Sequence, residues 1–431
     1  MTNIHQFEDM PCPIGVLSQY ISGRVRTAGW VHTIRRLGGV TFVVLRDGHH
    51  VVQVVVKSED VPYRPEMVVR VEADVVKESR APGGVELHHP LFEVLAEPTA
   101  GIPLDLSLPR VEAGLPTRLD LAPLALRHPQ ARQWLRLTAR LVEAFRHALS
   151  REDFVEIHTP KLLDTATEGG ANVFTVDYFG RPAYLAQSPQ FYKQMMVGVL
   201  GRVFEVGPVF RAEPHDTARH LSQYTSLDVE FGFITDHRTV MNVLTRTLCT
   251  MLAEAKSEAM DLESWPVVPK SIPVIHFTEA LERLSIALGE DLREEPDLAP
   301  THEAWLGAWA KTQYGSDFLF VEGYPTAKRP FYTHPDPNRP EYTRSFDLLF
   351  RGQELVTGGQ RLHHYGDYLT ALASRELDPL PYQGYLMSFK YGMPPHGGFA
   401  IGLERLVARL MGFNNIREAT LLPRDMKRLR P

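Results

Sequence analysis

The chain has 431 residues, of which 44% are hydrophobic and 23% are charged, so it is long enough to form two domains with substantial cores. Its two cysteines, Cys12 and Cys249, are too few for a disulfide framework, and the sequence shows neither a long apolar run nor a secretory leader pattern, so we expect a cytoplasmic protein without a membrane span. The formal net charge of −6 predicts no general attraction to nucleic acid, and any such contact must come from local basic patches.

Short stretches of alternating hydrophobicity dominate the first hundred residues. They predict five strands, at 24–33, 40–46, 51–56, 67–76 and 85–95, with glycine-containing turns between several of them. Five strands within about 80 residues are typical of a small Greek-key barrel of the OB type.

A connector rich in proline follows and predicts a semi-rigid hinge. A long helix is predicted at about 130–149, and the stretch 250–315 has a helical pattern. We therefore predict an α+β protein with an all-β N-terminal domain: a barrel domain at 1–100, a hinge or linker at 101–130, and a larger domain at 131–431.

Two segments of the larger domain carry recognisable chemistry. Residues 397–406 place small residues on an apolar strand and then begin a helix whose first turn carries Arg405, which suits a guanidinium held beside a nucleotide. Far upstream, residues 210–213 and 226–231 flank a polar loop. In this order and spacing, the segments resemble motifs 3 and 2 of the class II aminoacyl-tRNA synthetases. The resemblance implies a mainly antiparallel catalytic sheet flanked by helices.

A third segment, residues 154–161, resembles motif 1 of the same family. The proline of that motif, here Pro160, belongs to the dimer interface of class II enzymes. The resemblance therefore implies a homodimer.

An ATP-dependent acyl activation requires positive charge around the phosphates and carboxylates for magnesium. Glu354 is the best candidate for holding Mg²⁺, because hard carboxylate oxygens suit an ion shared with phosphates, and Asp347 is a second candidate. We expect ATP and Mg²⁺ to bind here, with Arg211, Glu354 and Arg405 in catalytic roles. The predicted ATP contacts are Arg211, Glu213, His220, Glu354 and Arg405.

The amino-acid substrate is indicated by residues 188–194 and 167–171, which resemble the aspartyl branch of the family in its short, archaeal-type form. By that match, Lys193 and Arg361 bind the side-chain carboxylate of aspartate. Glu168 and Gln190 contact its ammonium group. Asparagine is neutral and would leave two desolvated cations without their anion, which is costly.

Three other functions are consistent with parts of this pattern. An asparaginyl-tRNA synthetase-like ligase by family pattern lacks the lysine at Lys193. A tRNA-independent ligase would share the aspartate and ATP pockets and lack the barrel. A non-catalytic RNA-binding relative would keep the barrel and lose the arginines and Glu354. The predicted activity is aspartate–tRNA ligation through aspartyl-adenylate.

The barrel offers a candidate surface for tRNA. Phe42 lies on a predicted strand beside Gln53 on the next, and four arginines lie nearby in sequence, Arg24, Arg26, Arg35 and Arg36. An exposed aromatic can stack an unpaired base and an amide can contact a base edge, although a strand phenylalanine is more often a core residue. The segment also resembles the anticodon-binding barrel of aspartyl-, asparaginyl- and lysyl-tRNA synthetases, in which the residues matching Phe42 and Gln53 contact the central uridine of the anticodon.

Discrimination between tRNA(Asp) and tRNA(Asn) depends on the third anticodon base. Strict archaeal-type enzymes tend to carry Trp and Lys where this chain has His32 and Pro82. Neither replacement keeps the bulk or the charged donor. The resemblance therefore implies a non-discriminating enzyme, in a host with an amidotransferase that converts aspartyl-tRNA(Asn). Alternatives are a hairpin role for Pro82, an ordinary strand position for His32, and a discriminating enzyme for tRNA(Asp) alone.

Overall fold

The structure is a computed structural model and describes residues 10–48, 50–164, 172–214, 216–259 and 264–430. The chain divides into two compact units, Met1–Arg132 and Gln133–Pro431.

The first unit contains a closed five-stranded barrel with the order β1-β2-β3-β5-β4. Only the β3–β5 pair is parallel among these neighbours. The predicted OB-type barrel is confirmed, and the main difference is that β1 continues beyond residue 33. The strands are β1 (Arg24–Leu37), β2 (Val40–Arg46), β3 (Val51–Val56), β4 (Val68–Lys77) and β5 (Val85–Ala96).

The interior of the barrel is filled by alternate residues of its strands. Val31, Val43, Val54, Val69 and Leu87 are each completely buried. Because successive side chains of a strand point to opposite faces, the intervening residues face outward. β-Branched residues suit this half-buried, pleated surface, which explains why a valine-rich sequence forms the barrel.

The connector that follows the barrel contains secondary structure and a small core of its own. It contains the short helices α1 (Leu115–Asp120) and α2 (Ala122–Ala125). Leu104, Leu106 and Ala125 form a small buried cluster. The limits proposed from the sequence for the linker, 101–130, stay a prediction.

The second unit is built on an eight-stranded, mainly antiparallel sheet with the order β12-β13-β14-β15-β16-β11-β10-β6, accompanied by a three-stranded sheet with the order β7-β9-β8. This confirms the predicted fold class. The strands are β6 (Val155–Glu156), β7 (Leu162–Leu163), β8 (Thr175–Tyr178), β9 (Arg181–Leu185), β10 (Arg202–Phe210), β11 (Gln223–Gly232), β12 (Val274–His276), β13 (Phe318–Glu322), β14 (Ser345–Phe350), β15 (Glu354–Gln360) and β16 (His396–Gly402).

Helices accompany these strands. Their bounds are α3 (Pro129–Ser150), α4 (Gln190–Leu200), α5 (His237–Ala255), α6 (Phe277–Leu288), α7 (Pro300–Tyr314), α8 (Tyr365–Ala373), α9 (Gln383–Lys390) and α10 (Leu403–Met411). None of the helices in the described ranges combines the length and the apolar character that crossing a membrane requires.

The most buried strands of the large sheet are inner strands, which have a neighbour on both sides. Every residue of β13 and β14 is buried, and most of β11 and β16 are too. β16 pairs with β11 on one side and with β15 on the other, although these three strands are far apart in the sequence.

The helical pattern predicted across 250–315 is only partly correct. Residues 274–276 form β12, which pairs in parallel with β13. Ile275 in this strand is buried, so burial at a sheet edge accounts for an apolar stretch that also suits a helix.

Candidate active site and candidate tRNA surface

A cleft of about 350 Å³ opens over the large sheet of the second unit. Its walls come from α4, the hairpin β10–β11, β15, β16 and the start of α10. Gly358, Ala400 and Gly402 line it, and the small size of these residues leaves room above the strands. Charged side chains occupy both ends.

At one end, two cations and two carboxylates form a buried set. Lys193 Nζ lies 2.9 Å from Asp228 Oδ1 and 3.4 Å from Glu230 Oε2. Arg361 Nε lies 3.0 Å from Glu230 Oε1. All four side chains are at most 8% exposed, and buried charges persist only when they are paired. Burial opposes the ionisation of Glu230, but Arg361 and Lys193 hold its pKa below the ordinary value.

The backbone of β16 fits closely around this set. Arg361 Nη2 donates to the carbonyl oxygen of Gly398 at 3.2 Å. A Cβ atom at Gly398 would overlap the carbonyl of Val229 and the carboxylate of Glu230, so only glycine fits there. Gln190 Nε2 donates to Glu230 Oε2 at 3.4 Å.

A network of uncharged groups lies beside the buried set. Gln194 Nε2 lies 2.9 Å from His396 Nε2 and donates to Tyr368 Oη at 3.1 Å, while Tyr385 Oη donates to Gln194 Oε1 at 2.9 Å. His396 Nδ1 lies 2.9 Å from the carbonyl of Pro394. A carbonyl only accepts, so Nδ1 carries the proton and Nε2 accepts from Gln194. Burial lowers the pKa of His396 to about 4, so this imidazole is neutral at neutral pH.

At the other end of the cleft, Glu354 is held beside Arg405. Arg405 Nη1 donates to the carbonyl of Glu354 at 2.7 Å and lies 3.5 Å from Glu354 Oε1. Burial opposes the ionisation of Glu354, but Arg405 and Arg329 lower its pKa. Burial, and then the charge of Glu354, raise the pKa of Asp347 to about 6, although Arg329 Nη2 donates to Asp347 Oδ2 at 2.7 Å.

No cluster of three or more His, Cys, Asp or Glu side chains suited to a metal occurs in the described part of the chain. Two carboxylates are nevertheless sufficient for a magnesium ion shared with phosphates, because Mg²⁺ keeps several waters and takes one or two protein carboxylates. Asp347 and Glu354 provide these two, and the charge of Glu354 adds to the effect of burial in raising the pKa of Asp347. The donor set fits Mg²⁺ held together with a phosphate.

The loop between β10 and β11 closes one side of the cleft. Arg211 Nη1 lies 3.9 Å from Glu213 Oε1, and the Arg211 guanidinium carbon lies 5.8 Å from the ring centre of Tyr224. His220 Nε2 lies 3.4 Å from Glu213 Oε2. The loop and the start of β11 therefore bring two basic groups and an aromatic ring to one wall of the cleft, a combination suited to a nucleotide.

Most of the residues selected from the sequence lie in this cleft. Asp347 is buried and bonded to Arg329, which itself lines the cleft. Glu168 lies outside the described residues. Those that line the cleft are Gln190, Lys193, Arg211, Glu213, His220, Glu354, Arg361 and Arg405.

Sequence reasoning missed Asp228, Glu230 and Arg329 as members of the site. Asp228 and Glu230 are two residues apart on β11, so they share one face of the strand, and this alternation of acidic residues within a buried strand was the available signal. Arg329 lies outside the named helices and strands, and no local pattern marks it. Its guanidinium lies 3.9 Å from the ring centre of Tyr324.

The outer face of the barrel carries Phe42 and Gln53. Phe42 is opposite Val55, and Gln53 is opposite Val44. Because Phe42 and Val44 are two residues apart on β2, they point to the same face. The side chains of Phe42 and Gln53 therefore share that face. Both are half-buried. Gln53 Nε2 donates to Glu86 Oε1 at 2.8 Å.

His32 and Pro82 occupy different parts of the barrel. His32 lies at an irregularity of β1 between Val31 and Thr33, and burial, followed by the charge of Arg46, lowers its pKa. Pro82 begins a short 3-10 turn before β5, and Gly83 in that turn has a φ of 72°. Glycine adopts this left-handed conformation without strain.

Comparison with known proteins agrees with this geometry. A family model described as tRNA synthetases class II (D, K and N) matches residues 115–426, and one described as OB-fold nucleic acid binding domain matches residues 25–95. The chain therefore belongs to the class II tRNA synthetase family (D, K and N).

Three individual proteins are similar to this chain over nearly its whole length. A protein of Thermus thermophilus named aspartate–tRNA(Asp/Asn) ligase is 46% identical over 424 residues, which cover 96% of this chain and 98% of the relative. A protein of the same name from Deinococcus radiodurans is 45% identical and covers 96% and 97%. The crystal structure of a putative aspartyl-tRNA synthetase from Leishmania major is 31% identical, covers 100% of this chain and 97% of the other, and superposes with a TM-score of 0.89.

Proposed function

We propose that the protein attaches L-aspartate to tRNA in two steps at the cleft, with aspartyl-adenylate as the intermediate. The observation that carries this proposal is the pairing within one cleft of a buried set containing Lys193 and Arg361 with a second set containing Arg405 and Glu354. The first suits a side-chain carboxylate and the second suits a nucleotide phosphate.

Selection of aspartate follows from the buried cations. In the described residues Lys193 and Arg361 are balanced by Asp228 and Glu230. A substrate carboxylate accepts hydrogen bonds from both cations in a desolvated place, where such bonds are strong. Asparagine presents an amide N–H₂ to one of them, and this donor-to-donor contact is unfavourable. Glu168 and Gln190 are proposed to contact the ammonium group of the substrate.

In the first step, an α-carboxylate oxygen of aspartate attacks the α-phosphorus of ATP, and pyrophosphate leaves with the electron pair of the broken P–O bond. Arg211 and Arg405 stabilise the negative charge on the phosphate oxygens, His220 binds the leaving phosphates, and Glu213 orients the nucleotide. Glu354 and Asp347 are the residues that would hold Mg²⁺, which would neutralise part of the phosphate charge.

In the second step, a ribose hydroxyl of the terminal adenosine attacks the carbonyl carbon of the adenylate, AMP leaves with the electron pair of the broken C–O bond, and the hydroxyl proton is released. The 3′ hydroxyl is expected from membership of class II. No protein nucleophile is required, because the mixed anhydride is already activated. The cleft acts by positioning the two substrates and by stabilising charge.

The tRNA is proposed to be held through its anticodon by the barrel domain, residues 1–100. Phe42 stacks the central uridine and Gln53 contacts its edge. The combination of His32 and Pro82 leaves the third anticodon base weakly read. We propose that both tRNA(Asp) and tRNA(Asn) are substrates, and that an amidotransferase of the host completes asparaginyl-tRNA(Asn).

The segment 154–161 supports a homodimer. Pro160 is exposed, and Val155 and Leu162 nearby are 45% and 49% exposed. Uncovered apolar side chains around a motif 1 proline are suited to burial against a second copy. The two cysteines are free, which supports a reducing cytoplasm.

The deciding experiment is aminoacylation of purified tRNA(Asp) and tRNA(Asn) with labelled aspartate and, separately, labelled asparagine. We expect aspartate on both tRNAs with catalytic efficiencies within tenfold, and no asparagine on either. Charging with asparagine would contradict the substrate assignment. A preference for tRNA(Asp) of a hundredfold or more, equivalent to about 2.7 kcal/mol, would leave a discriminating enzyme instead.

A further inference from the structure

The loop between β10 and β11, described at residues 211–214 and 216–222, carries the basic groups that face the nucleotide side of the cleft. It is joined to a segment near the other end of the sequence, residues 415–428, which we call the anchor segment. The amide of Ile416 donates to the carbonyl of Ala218 at 2.9 Å, and the amide of Ser222 donates to the carbonyl of Arg424 at 2.8 Å.

Arg417 is the centre of this junction and is only 9% exposed. Its Nη2 donates to Asp216 Oδ1 at 2.8 Å, and its Nη1 donates to the carbonyl of Thr217 at 3.0 Å. Its Nε donates to Asp425 Oδ2 at 2.6 Å. One planar guanidinium thus binds the loop on one side and its own segment on the other, which a point charge on a flexible chain cannot do.

The bonds made by Arg417 continue towards the cleft through Thr217. The hydroxyl of Thr217 lies 2.7 Å from His220 Nδ1, and it also accepts from the amide of Arg219 at 3.2 Å. With Nδ1 engaged in this way, Nε2 is the nitrogen that lies towards Glu213. A path of two contacts, Arg417 to Thr217 and Thr217 to His220, therefore leads from Arg417 to the orientation of the imidazole.

We propose that Arg417 is a positioning residue for ATP: it fixes residues 216–222 of the loop through Asp216 and Thr217, and thereby orients His220 towards the leaving phosphates. This inference rests on the proposed function. A loop that is already held in its binding conformation loses less conformational freedom when the ligand arrives, so affinity for ATP is the quantity that Arg417 controls. The aspartate end of the cleft is built from other elements, α4, β11 and the residues around Arg361.

The test measures aspartate-dependent pyrophosphate exchange, without tRNA, for the unchanged protein and for Arg417→Gln, Arg417→Lys and Thr217→Val. We expect Arg417→Gln to raise the KM for ATP at least tenfold while the KM for aspartate changes less than twofold. Arg417→Lys should raise the KM for ATP almost as much as Arg417→Gln does. Arg246→Gln is the matched control, because Arg246 also forms a two-bond pair with a carboxylate, that of Glu152, on a surface helix. It should behave like the unchanged protein.

A double-mutant cycle separates positioning from simple support of the fold. If Arg417 acts through His220, then Arg417→Gln should have a much smaller effect on the KM for ATP in a His220→Ala background than in the unchanged background. Additive effects, or equal increases in the KM values for ATP and aspartate, would overturn the inference. Thr217→Val keeps every contact of Arg417, so it tests the same path if Arg417→Gln fails to fold, and an unchanged KM for ATP in that variant would also count against the inference.

The same experiment keeps the two proposals apart. Absence of aspartate-dependent exchange in the unchanged protein would refute the proposed function. Normal exchange in the unchanged protein and in Arg246→Gln, with no selective effect of the three variants on ATP, would refute the positioning role alone.

Discussion

The candidate residues of the barrel and those of the cleft differ in kind. Phe42 and Gln53 are neutral, half-buried, and lie on the outer face of a barrel whose interior is apolar. Lys193 and Arg361 are charged, almost completely buried, and paired with carboxylates. A surface residue can change without disturbing the core beneath it, whereas a buried ion pair supports both the fold and the site. The comparison predicts separable effects in the barrel and combined effects in the cleft.

The largest effect is expected from Lys193→Ala and Arg361→Ala. Each removes a cation proposed to bind the aspartate side chain, and each weakens the pairing of a buried carboxylate, Asp228 for Lys193 and Glu230 for Arg361. Aspartate-dependent pyrophosphate exchange should therefore fall at least a hundredfold, about 2.7 kcal/mol. Arg361→Lys should also be severely impaired, because an ammonium cannot reproduce the planar donor geometry.

Thermal unfolding of the same variants shows whether stability and activity fall together, as the comparison requires. Lys311→Ala is the matched control, since that lysine is 59% exposed and pairs with Asp317 on the surface. Normal exchange with aspartate in either cleft variant would remove the substrate assignment.

A smaller and more selective effect is expected from Phe42→Ala. Loss of a stacked base costs roughly 1–3 kcal/mol. The catalytic efficiency of tRNA charging should therefore fall by the factor that corresponds to this free energy, while pyrophosphate exchange stays unchanged. Gln53→Ala should act in the same direction. Both steps are measured on the same preparation.

The barrel also supplies the control for this prediction. Phe92 is partly buried against the core and stacks on Tyr63 with ring centres 4.3 Å apart. Phe92→Ala should lower the thermal unfolding midpoint without a selective loss of tRNA charging. If Phe42→Ala behaves like Phe92→Ala, then Phe42 is a core residue and the barrel face has a different role.

The smallest effect concerns pH and the buried network of the cleft. The pKa of His396 is about 4 in the folded protein and about 6.5 in an unfolded chain. The unfolded chain therefore binds the proton more readily, and stability that is fully present above pH 6.5 is lost as the pH falls towards 4. Between pH 7.5 and 5 this amounts to roughly 2 kcal/mol.

His396→Asn keeps a donor for the carbonyl of Pro394 and removes the titrating group. Its unfolding midpoint should therefore fall less than that of the unchanged protein when the pH is lowered from 7.5 to 5. All other titrating groups are common to both proteins, so an equal fall in the two would show that His396 does not contribute.

The sequence predicted the barrel of the first unit more fully than the cleft of the second unit, and the reason is physical. The barrel strands pair mostly with near neighbours, and their alternation and turns are local signals, so β2 and β3 agree with prediction to the residue. The cleft depends on contacts across the chain. Lys193 meets Asp228 only because α4 lies against β11, and nothing local to either residue indicates that pairing.

Family resemblance supplied what local pattern could not, including the choice of Lys193, Arg361 and Glu354. It did not reveal which buried groups balance those charges, because the resemblance was carried by motifs and the balance is set by packing. The same limit applies to Arg329 and to Arg417, whose roles appear only when distant segments are placed side by side.

The position of β16 in the large sheet has a consequence for the order in which the protein is made. β16 lies between β11 and β15, yet the ribosome produces it long after β11, and at 5–20 residues per second the interval between Gly232 and His396 is roughly 10 to 30 s. During that time the barrel already has all of its strands, while β11 has an unpaired edge that exposes the N–H and C=O groups of the strand bearing Asp228 and Glu230. The catalytic sheet therefore passes through a period in which it is open to aggregation or chaperone binding, and that period ends only when β16 is available to pair with β11.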